Sequence, residues 1–187
     1  MCLMSKIRPT SRDAILEAAF QTFNERPGAS LAEIAEHAGV GRATLHRHFS
    51  SRETLMVALA RTAMEELNAA VEAAVAEATS HTDALRRILA ATIPLAARQW
   101  FLAHEPVMND PQVAAAYKSD QTALFNAIEA AKSEGTFEKD IPSRWIAEAY
   151  EGLVFAGWAM VRDEELTPNQ AAELAWRTLT GGLAARQ

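Results

Sequence analysis

The chain has 187 residues, of which 49% are hydrophobic and 22% are charged, and its formal net charge is −6; this composition excludes a disordered or fibrous protein. The longest runs without a charged residue, 88–97 and 152–161, are ten residues each and fall well short of the roughly 20 that a membrane-spanning helix needs. Cys2 is the only cysteine, which excludes an internal disulfide and a thiolate metal site.

The charge is divided unevenly along the chain. Residues 1–61 carry eight Lys or Arg against six Asp or Glu, a net charge of +2, whereas residues 62–187 carry ten against 18, a net charge of −8. A basic end suits a polyanionic partner, and an acidic remainder limits non-specific adhesion to it, although solvated surface charge alone gives the same asymmetry. Because residues 1–6 show no secretory pattern, we expect a cytoplasmic protein.

Helical periodicity along the chain predicts the fold class, and the first helix shows the pattern. Apolar residues recur at helical spacing along the whole chain, and no segment shows the two-residue alternation of a strand, so the sequence predicts an all-α fold. This helix is expected to begin with the capping pair Thr10 and Asp13, to run to about Asn24, and to be ended by residues 26–28, Arg-Pro-Gly.

Residues 30–49 predict two short helices joined by a tight turn. One opens with the capping pair Ser30 and Glu33 and stops at Gly39, and the next spans residues 42–48. Such a pair forms a helix-turn-helix, which packs on the first helix through apolar residues. Those residues are Phe20, Phe23, Ile34, Ala35, Val40, Leu45 and Phe49.

The second helix of this motif projects a donor-rich face that suits base edges and phosphates. Its outward residues are Arg42, Ala43, Thr44, His46, Arg47 and His48. The pair His46-x-His48 does not indicate a metal site, because residues two apart on a helix point to different sides.

Three segments at fixed spacing, 34–41, 45–49 and 51–55, resemble the tetracycline-repressor (TetR) family of bacterial regulators. The family pattern is Ile-Ala-x-x-Ala-Gly-Val-Ser, then Leu-Tyr-x-His-Phe, then Ser-Lys-Glu-x-Leu at a helix start. Three residues depart from it: Gly41 replaces the capping Ser, His46 replaces a phosphate-contacting Tyr, and Arg52 replaces a Lys that meets the DNA backbone. Glycine is a competent cap, and imidazole and guanidinium groups still donate to phosphate.

The resemblance implies that some of these residues contact bases and others contact the DNA backbone. It implies that Arg42 and Thr44 read bases. It also implies that a second set of side chains contacts the DNA backbone and so positions the protein on the duplex: Ser30, His46, Arg47, His48 and Arg52. On the first helix of the motif, His37 is expected to be an ordinary surface or core-edge histidine.

A long fourth helix is predicted from the capping pair Ser50 and Glu53 to about Thr79, which is about 40 Å at 1.5 Å per residue. Its start divides the chain into a DNA-binding domain, 1–52, and a ligand-binding and dimerisation domain, 53–187. Further helices are expected at 83–103, bent or split by Pro94, and at 111–134, 143–162 and 168–180, giving about nine in all.

The resemblance places a ligand pocket between the long helix and the last two helices. Aromatic residues with a few polar groups are typical of such cavities, although most aromatics at helical spacing are simply core. The candidate lining residues, about half of which we expect to touch a ligand, are Trp100, Phe101, His104, Met108, Tyr117, Gln121, Phe125 and Trp158.

The last two helices carry stripes of small residues. Small residues allow close approach of helix axes and suit a four-helix bundle shared by two subunits, an assignment that the resemblance supports. Packing within one subunit would give the same pattern. The candidate dimer contacts are Ala149, Gly152, Leu153, Ala156, Ala171, Leu174, Ala175 and Thr178.

Taken together, the sequence predicts a transcriptional repressor that binds a (pseudo)palindromic operator as a homodimer and is released by a small-molecule effector. No cofactor, metal or catalytic residue is predicted. An enzyme is a weaker alternative, since His104-Glu105 comes with no HExxH, Gly-rich phosphate loop or nucleophile elbow. A helical scaffold or small-molecule-binding protein without DNA binding is the other alternative.

Overall fold

The computed structural model describes residues 10–96 and 111–183, except for the side chains at 112–114, 116–117 and 182–183. Within these residues the chain forms eight α-helices, one short 3-10 helix and no strand, which confirms the all-α prediction. The elements are α1 (Ser11–Glu25), α2 (Leu31–His37), α3 (Arg42–His48), α4 (Arg52–Ala76), α5 (His81–Thr92), the 3-10 helix (Ile93–Leu95), α6 (Pro111–Ser133), α7 (Ser143–Arg162) and α8 (Pro168–Leu183). In the part of the chain described, no helix is long and apolar enough to cross a membrane.

Two capping boxes begin the first helices, as the sequence predicts. The Asp13 amide donates to the Thr10 hydroxyl at 3.2 Å, and the Asp13 carboxylate accepts from the Thr10 amide in return. The same reciprocal pair joins Ser30 and Glu33 at the start of α2. Each pair satisfies backbone donors that a helix start leaves without an intrahelical partner.

The cap of α4 lies one residue later than the sequence predicts. The Ser51 amide donates to the Thr54 hydroxyl at 3.1 Å, and the Thr54 amide donates to the Ser51 hydroxyl at 3.3 Å. The predicted pair of Ser50 and Glu53 is therefore wrong. Both registers place a Ser three residues before a side chain that can accept, and the register with Arg52 at the first helical position is the one that forms.

The helix ends follow the prolines closely. Pro94 divides the helix predicted at 83–103: α5 ends at Thr92 and a 3-10 turn follows, while residues 97–103 lie outside the described residues. The bounds of α7 match the prediction, and α6 and α8 differ from it by up to three residues at their ends. A proline at the first position of α6 and α8 fits because its missing N–H would have no helical partner there.

Contacts within the chain group it into two compact units, Met1–Arg61 and Thr62–Gln187. The division falls inside α4, nine residues after the boundary that the sequence predicts between residues 52 and 53. In the first unit α1, α2 and α3 pack through Phe23 and Ile34, both fully buried, and through Leu45, which is 1% exposed. The remaining apolar residues of the predicted helix-turn-helix core are buried too, except for the half-buried Val40.

The second unit has its own core, formed by α5, the 3-10 helix, α6, α7 and α8. Two buried polar side chains join α7 to α5. The Tyr150 hydroxyl donates to the Leu85 carbonyl at 2.8 Å, and the Trp158 indole N–H donates to the Thr92 carbonyl at 3.1 Å. Since both donors are buried, these bonds offset the cost of removing them from water and fix how α7 lies against α5.

Candidate DNA-binding surface and ligand cavity

The turn between α2 and α3 determines which side of α3 is exposed. Gly39 adopts a left-handed conformation, φ +64°, which glycine tolerates without strain, and the Val40 amide donates back to the Ala35 carbonyl at 3.0 Å. Gly41 then caps α3 without a side-chain bond, as the sequence predicts. Because Leu45 is buried against the first unit's core, the opposite face of α3 is left open to solvent.

Six residues that the sequence singles out for DNA lie together on α3. Five of them, Arg42, Ala43, His46, Arg47 and His48, are exposed, and Thr44 is half-buried at the edge of the same face. The face offers guanidinium, imidazole and hydroxyl donors on a helix narrow enough to enter a major groove. Their contacts with DNA remain predictions.

Ser30 is exposed at the start of α2, but its polar atoms are engaged locally. Its amide and hydroxyl both donate to the Glu33 carboxylate, at 2.8 and 2.9 Å. These bonds lower the pKa of Glu33, and the Arg26 guanidinium beside the carboxylate acts in the same direction. A phosphate contact by the Ser30 hydroxyl would have to compete with this carboxylate.

Arg52 does not share the exposed face of α3. Its guanidinium donates to the carbonyls of Ala29 and Pro27 at 2.7 and 2.6 Å, and lies 4.3 Å from the centroid of the Phe23 ring. The resemblance implies a phosphate contact at this position. In the structure the guanidinium instead bonds to the loop between α1 and α2 and contacts Phe23, all within the first unit. No local sequence pattern indicates these contacts.

His37 takes part in a structural contact, in line with the expectation that it is not a DNA residue. Its Nδ1 lies 2.8 Å from the hydroxyl of Thr22, a residue only 2% exposed. The Thr22 hydroxyl donates to the Ala18 carbonyl at 2.7 Å, so the hydrogen between Thr22 and His37 belongs to the imidazole. This bond ties α2 to α1. The sequence reading did not single out Thr22, whose only signal is a hydroxyl within the apolar stripe of α1.

The second unit contains a cavity of about 420 Å³. Its wall is almost entirely apolar and comes from α4, α5, α6 and α7. The described lining residues are Leu67, Asn68, Val71 and Val75 of α4; His81, Ala84, Leu85, Ile88 and Thr92 of α5; Asp120, Ala123, Leu124 and Ala127 of α6; and Tyr150, Glu151, Val154, Phe155 and Trp158 of α7.

Of the eight predicted ligand contacts, Trp158 lies in this wall. Trp100, Phe101, His104 and Met108 lie outside the described residues, as does the side chain of Tyr117. The structure does not bring Gln121 and Phe125 into the wall. The reason is helical phase: α6 lines the cavity with 120, 123, 124 and 127, so positions 121 and 125 lie to one side of this stripe, and Phe125 is 41% exposed.

The resemblance places the pocket beside the long helix, but the predicted lining residues include none of α4. Leu67, Val71 and Val75 recur at intervals of four on this helix, a spacing that puts them on one face. The stripe is visible in the sequence, but nothing local distinguishes a cavity wall from a packed core. Which of the two forms depends on how far α5, α6 and α7 stand from that face.

A few polar groups break the apolar wall. The Thr92 hydroxyl is buried and has no hydrogen-bond partner among the described residues, whereas Tyr150 and Trp158 have their polar hydrogens committed to α5. Burial raises the pKa of Asp120. Asp120 and Glu151 are the acidic residues of the described wall, which contains no Lys or Arg. Phe155 meets Trp158 edge to face, with 5.2 Å between ring centroids, so the cavity presents aromatic surface together with two carboxyl groups.

The predicted dimer contacts separate into two groups. Gly152, Ala156, Leu174 and Thr178 are exposed, and Ala149 and Leu153 are half-buried. Ala171 and Ala175 instead lie in the core of their own subunit, 2% and 4% exposed. The structure corrects these two assignments, because a side chain already buried has almost no surface left for a partner.

Two large apolar residues extend the exposed face of α7 beyond the predicted set. Trp145 is 64% exposed and Met160 is 38% exposed. With Ala149, Gly152 and Ala156 they recur every three or four residues and so lie on one side of the helix. Sequence reasoning passed over both because it searched for small residues. No group of three metal-ligating side chains occurs among the described residues.

Comparison with known proteins gives a family match at the DNA-binding end. Residues 15–59 match the family model described as bacterial regulatory proteins, tetR family. The chain is 32% identical, over 180 residues, to the HTH-type transcriptional repressor LfrR of Mycolicibacterium smegmatis, an alignment that covers 96% of this chain and 93% of the relative.

Solved structures extend the similarity to the whole fold. The structure of LfrR from Mycobacterium smegmatis in complex with proflavine has a TM-score of 0.77 at 30% identity, covering 94% of this chain and 97% of that one. The ketosteroid transcriptional regulator KstR2 of Mycobacterium tuberculosis has a TM-score of 0.82 at 20% identity, over 96% and 97% of the two chains, and shows similarity of fold alone.

Proposed function

The chain belongs to the TetR family of bacterial transcriptional regulators, and from this premise we propose that it is a repressor that binds a (pseudo)palindromic operator as a homodimer and leaves it when a planar aromatic cation fills the cavity. As a family member it is a ligand-responsive regulator and not an enzyme. Since its target is bacterial DNA, we place its action in the cytoplasm.

The exposed face of α3 is the observation that carries the DNA-binding proposal. Arg42 and Thr44 stand on its first turn, where a recognition helix meets base edges. We assign base reading to these two, an apolar contact with a thymine methyl to Ala43, and phosphate contacts to His46, Arg47 and His48. Ser30 contributes if its hydroxyl turns from Glu33 to a phosphate.

The exposed face of α7 and α8 supports the homodimer. Leu174 is 48% exposed on α8, and the stripe that begins at Trp145 on α7 is apolar over its whole length. Two helices from each of two copies would cover these surfaces in a four-helix bundle. A dimer also presents two α3 helices, as two half-sites about 34–36 Å apart require.

The chemistry of the cavity supports the choice of ligand. Phe155 and Trp158 belong to the wall, and a flat cation is attracted to the face of an aromatic ring, while Asp120 supplies a carboxyl group at the wall. Proflavine, the ligand in the LfrR complex, is a planar aromatic cation. A cavity of about 420 Å³ falls in the range of drug-sized ligand sites.

Release follows if the ligand prefers a conformation that binds DNA poorly. One helix, α4, begins in the DNA-binding unit and contributes four residues to the cavity wall. A ligand that shifts α4 therefore changes the position of the helix on which that unit ends. To reverse occupancy the ligand must favour the released state by a few kcal/mol.

The test is a footprint of the DNA upstream of the protein's own gene, with and without proflavine. The expected result is a protected, two-fold symmetric site that is lost when proflavine is added, while an uncharged aromatic compound of the same size leaves it protected. A protein that binds proflavine but protects no site would support a ligand-binding protein without DNA binding. A site that persists at saturating proflavine would refute the proposed ligand.

A further inference from the structure

We infer that Arg52 is a positioning residue that fastens the first turn of α4 to the loop between α1 and α2, and that it does not supply a phosphate contact. This goes beyond the proposed function, because it gives a structural role to a position at which family resemblance implies DNA binding. Of the measurements that test it, only the salt dependence of DNA binding requires the proposed DNA-binding function to be correct.

Arg52 donates to two carbonyls of the loop between α1 and α2. The backbone bonds of the described residues leave the carbonyls of Pro27 and Ala29 without a backbone N–H partner, although Ala29 itself is only 4% exposed. The Arg52 guanidinium donates to both, with its two terminal nitrogens at 2.7 and 2.6 Å. Pro27 is exposed, so water can reach its carbonyl, whereas a carbonyl without a donor at the buried Ala29 is unfavourable. The fork therefore completes the buried part of the loop and fastens its exposed part to α4.

A third contact fixes the plane of the guanidinium. Its central carbon lies 4.3 Å from the centroid of the Phe23 ring, and Phe23 is fully buried in the core of the first unit. One side chain thus contacts α1 through Phe23 and the α1–α2 loop through two carbonyls. Lysine offers a single ammonium with no flat surface, and cannot make the paired bonds and the ring contact together.

The consequence for DNA binding is indirect. Ala29 immediately precedes Ser30, the cap of α2, and α2 determines the position of α3 through the turn at Gly39. Loss of Arg52 therefore loosens the placement of α2 against α4. DNA affinity then falls because α3 is held less firmly, while the number of phosphate contacts made in the bound state stays the same.

The decisive variant is Arg52→Lys in the full chain. A phosphate contact would survive this change, because lysine is a competent phosphate ligand, whereas the fork on the two carbonyls would not. We expect a melting temperature lower by at least about 4 °C and faster hydrogen–deuterium exchange at residues 29–34. Arg47→Ala, on the exposed face of α3, is the matched control and should leave both measurements unchanged.

The second readout is the salt dependence of binding to a 30-base-pair duplex of generic sequence. Arg52→Lys and Arg52→Gln should both lower affinity severalfold without changing the log–log salt slope. Arg47→Ala should reduce the slope by about 0.9 per lost contact, or about 1.8 for a dimer with both heads bound.

Wild-type stability and exchange in Arg52→Lys would overturn the inference, as would a shallower slope for Arg52→Gln. If Arg52→Gln fails to fold while Arg47→Ala folds normally, the structural role is supported. If the wild-type chain binds no DNA, the proposed function fails, but the melting and exchange measurements still decide the role of Arg52.

Discussion

Single side chains complete the starts of helices, and Glu134 does so across a long stretch of sequence. Its carboxylate, just after the end of α6, accepts from the backbone amides of His81 and Thr82 at 2.8 and 2.9 Å and from the Thr82 hydroxyl at 2.6 Å. These bonds, those from Thr82 first, lower the pKa of Glu134 to about 2. The carboxylate therefore holds the first turn of α5, which carries part of the cavity wall.

We expect Glu134→Gln to lower the melting temperature by a few degrees at pH 7. The folded-state pKa of Glu134 lies below its ordinary value of 4.5, so its contribution to stability is fully present above pH 4.5 and is lost as the pH falls towards 2. The difference in melting temperature between wild type and variant should shrink over that window. Glu129→Gln, at an exposed position on α6, is the control and should leave the melting temperature at pH 7 unchanged. An equal effect from both variants would contradict the role of the Glu134 carboxylate at the start of α5.

Base reading by Thr44 is testable by comparing specific with random DNA. Thr44→Ala removes one hydroxyl and one methyl from a helix whose position is fixed by the neighbouring Leu45, so the fold should be unaffected. The loss on operator DNA should be about 1–3 kcal/mol, or roughly 5- to 150-fold, with little change on random DNA. Binding isotherms on the two duplexes at one salt concentration measure it. Equal losses on both would remove Thr44 from the base-reading set.

At the scale of elements, local signals predicted the helices well. Capping pairs such as Ser30 with Glu33, breakers such as residues 26–28, and the prolines fixed most helix ends to within three residues, because each acts over one turn of chain. The cap of α4 shows the limit. Two overlapping Ser-based registers were compatible with the sequence, and only the structure distinguishes them.

The candidate sites divide in the same way. The exposed face of α3 was predictable because the apolar residues of this short helix mark its buried side, and the remaining positions must therefore face solvent. The cavity wall and the role of Arg52 were not, since both depend on contacts between residues more than 20 positions apart: Arg52 reaches back to Pro27, and α4 faces α5, α6 and α7. Ala171 and Ala175 show that small residues at helical spacing do not indicate which partner they approach.

Close packing of α7 on the 3-10 helix gives a prediction at this scale. A Cβ added at Gly157 would lie 2.8 Å from Cδ1 of Ile93, whose side chain is fully buried and has little room to move. Gly157→Ala should therefore destabilise the second unit by about 1–2 kcal/mol, despite the better helix propensity of alanine. At Gly181 an added Cβ meets nothing within 4 Å, so Gly181→Ala should be neutral or stabilising by denaturant titration. If Gly157→Ala is equally benign, the packing is looser than the structure shows.

For the whole molecule, charge and structure divide the chain at the same place. The compact unit that ends at Arg61 carries the net charge of +2, and the unit that begins at Thr62 carries −8. The net positive charge thus lies in the unit that presents α3, although the other unit also contains Lys and Arg. Binding should fall steeply with salt, with a log–log slope near −9 for a dimer that makes roughly ten phosphate contacts. A slope near zero would contradict binding through the DNA backbone.

Operator recognition should also depend on two copies acting together, which Gly152→Arg tests. Gly152 is exposed on the proposed dimer face of α7, and a Cβ added there meets nothing within 4 Å in the subunit. The fold should therefore tolerate arginine, while a charged side chain in an apolar bundle would prevent association. We expect a folded monomer by sedimentation that loses most of its preference for operator over random DNA, since one α3 reads only one half-site. Asn126→Arg, an exposed site on α6 with no predicted interface residue, should remain dimeric and specific. If Gly152→Arg stays dimeric, the partner surface lies elsewhere, and the exposed stripe from Trp145 to Met160 must be covered in some other way.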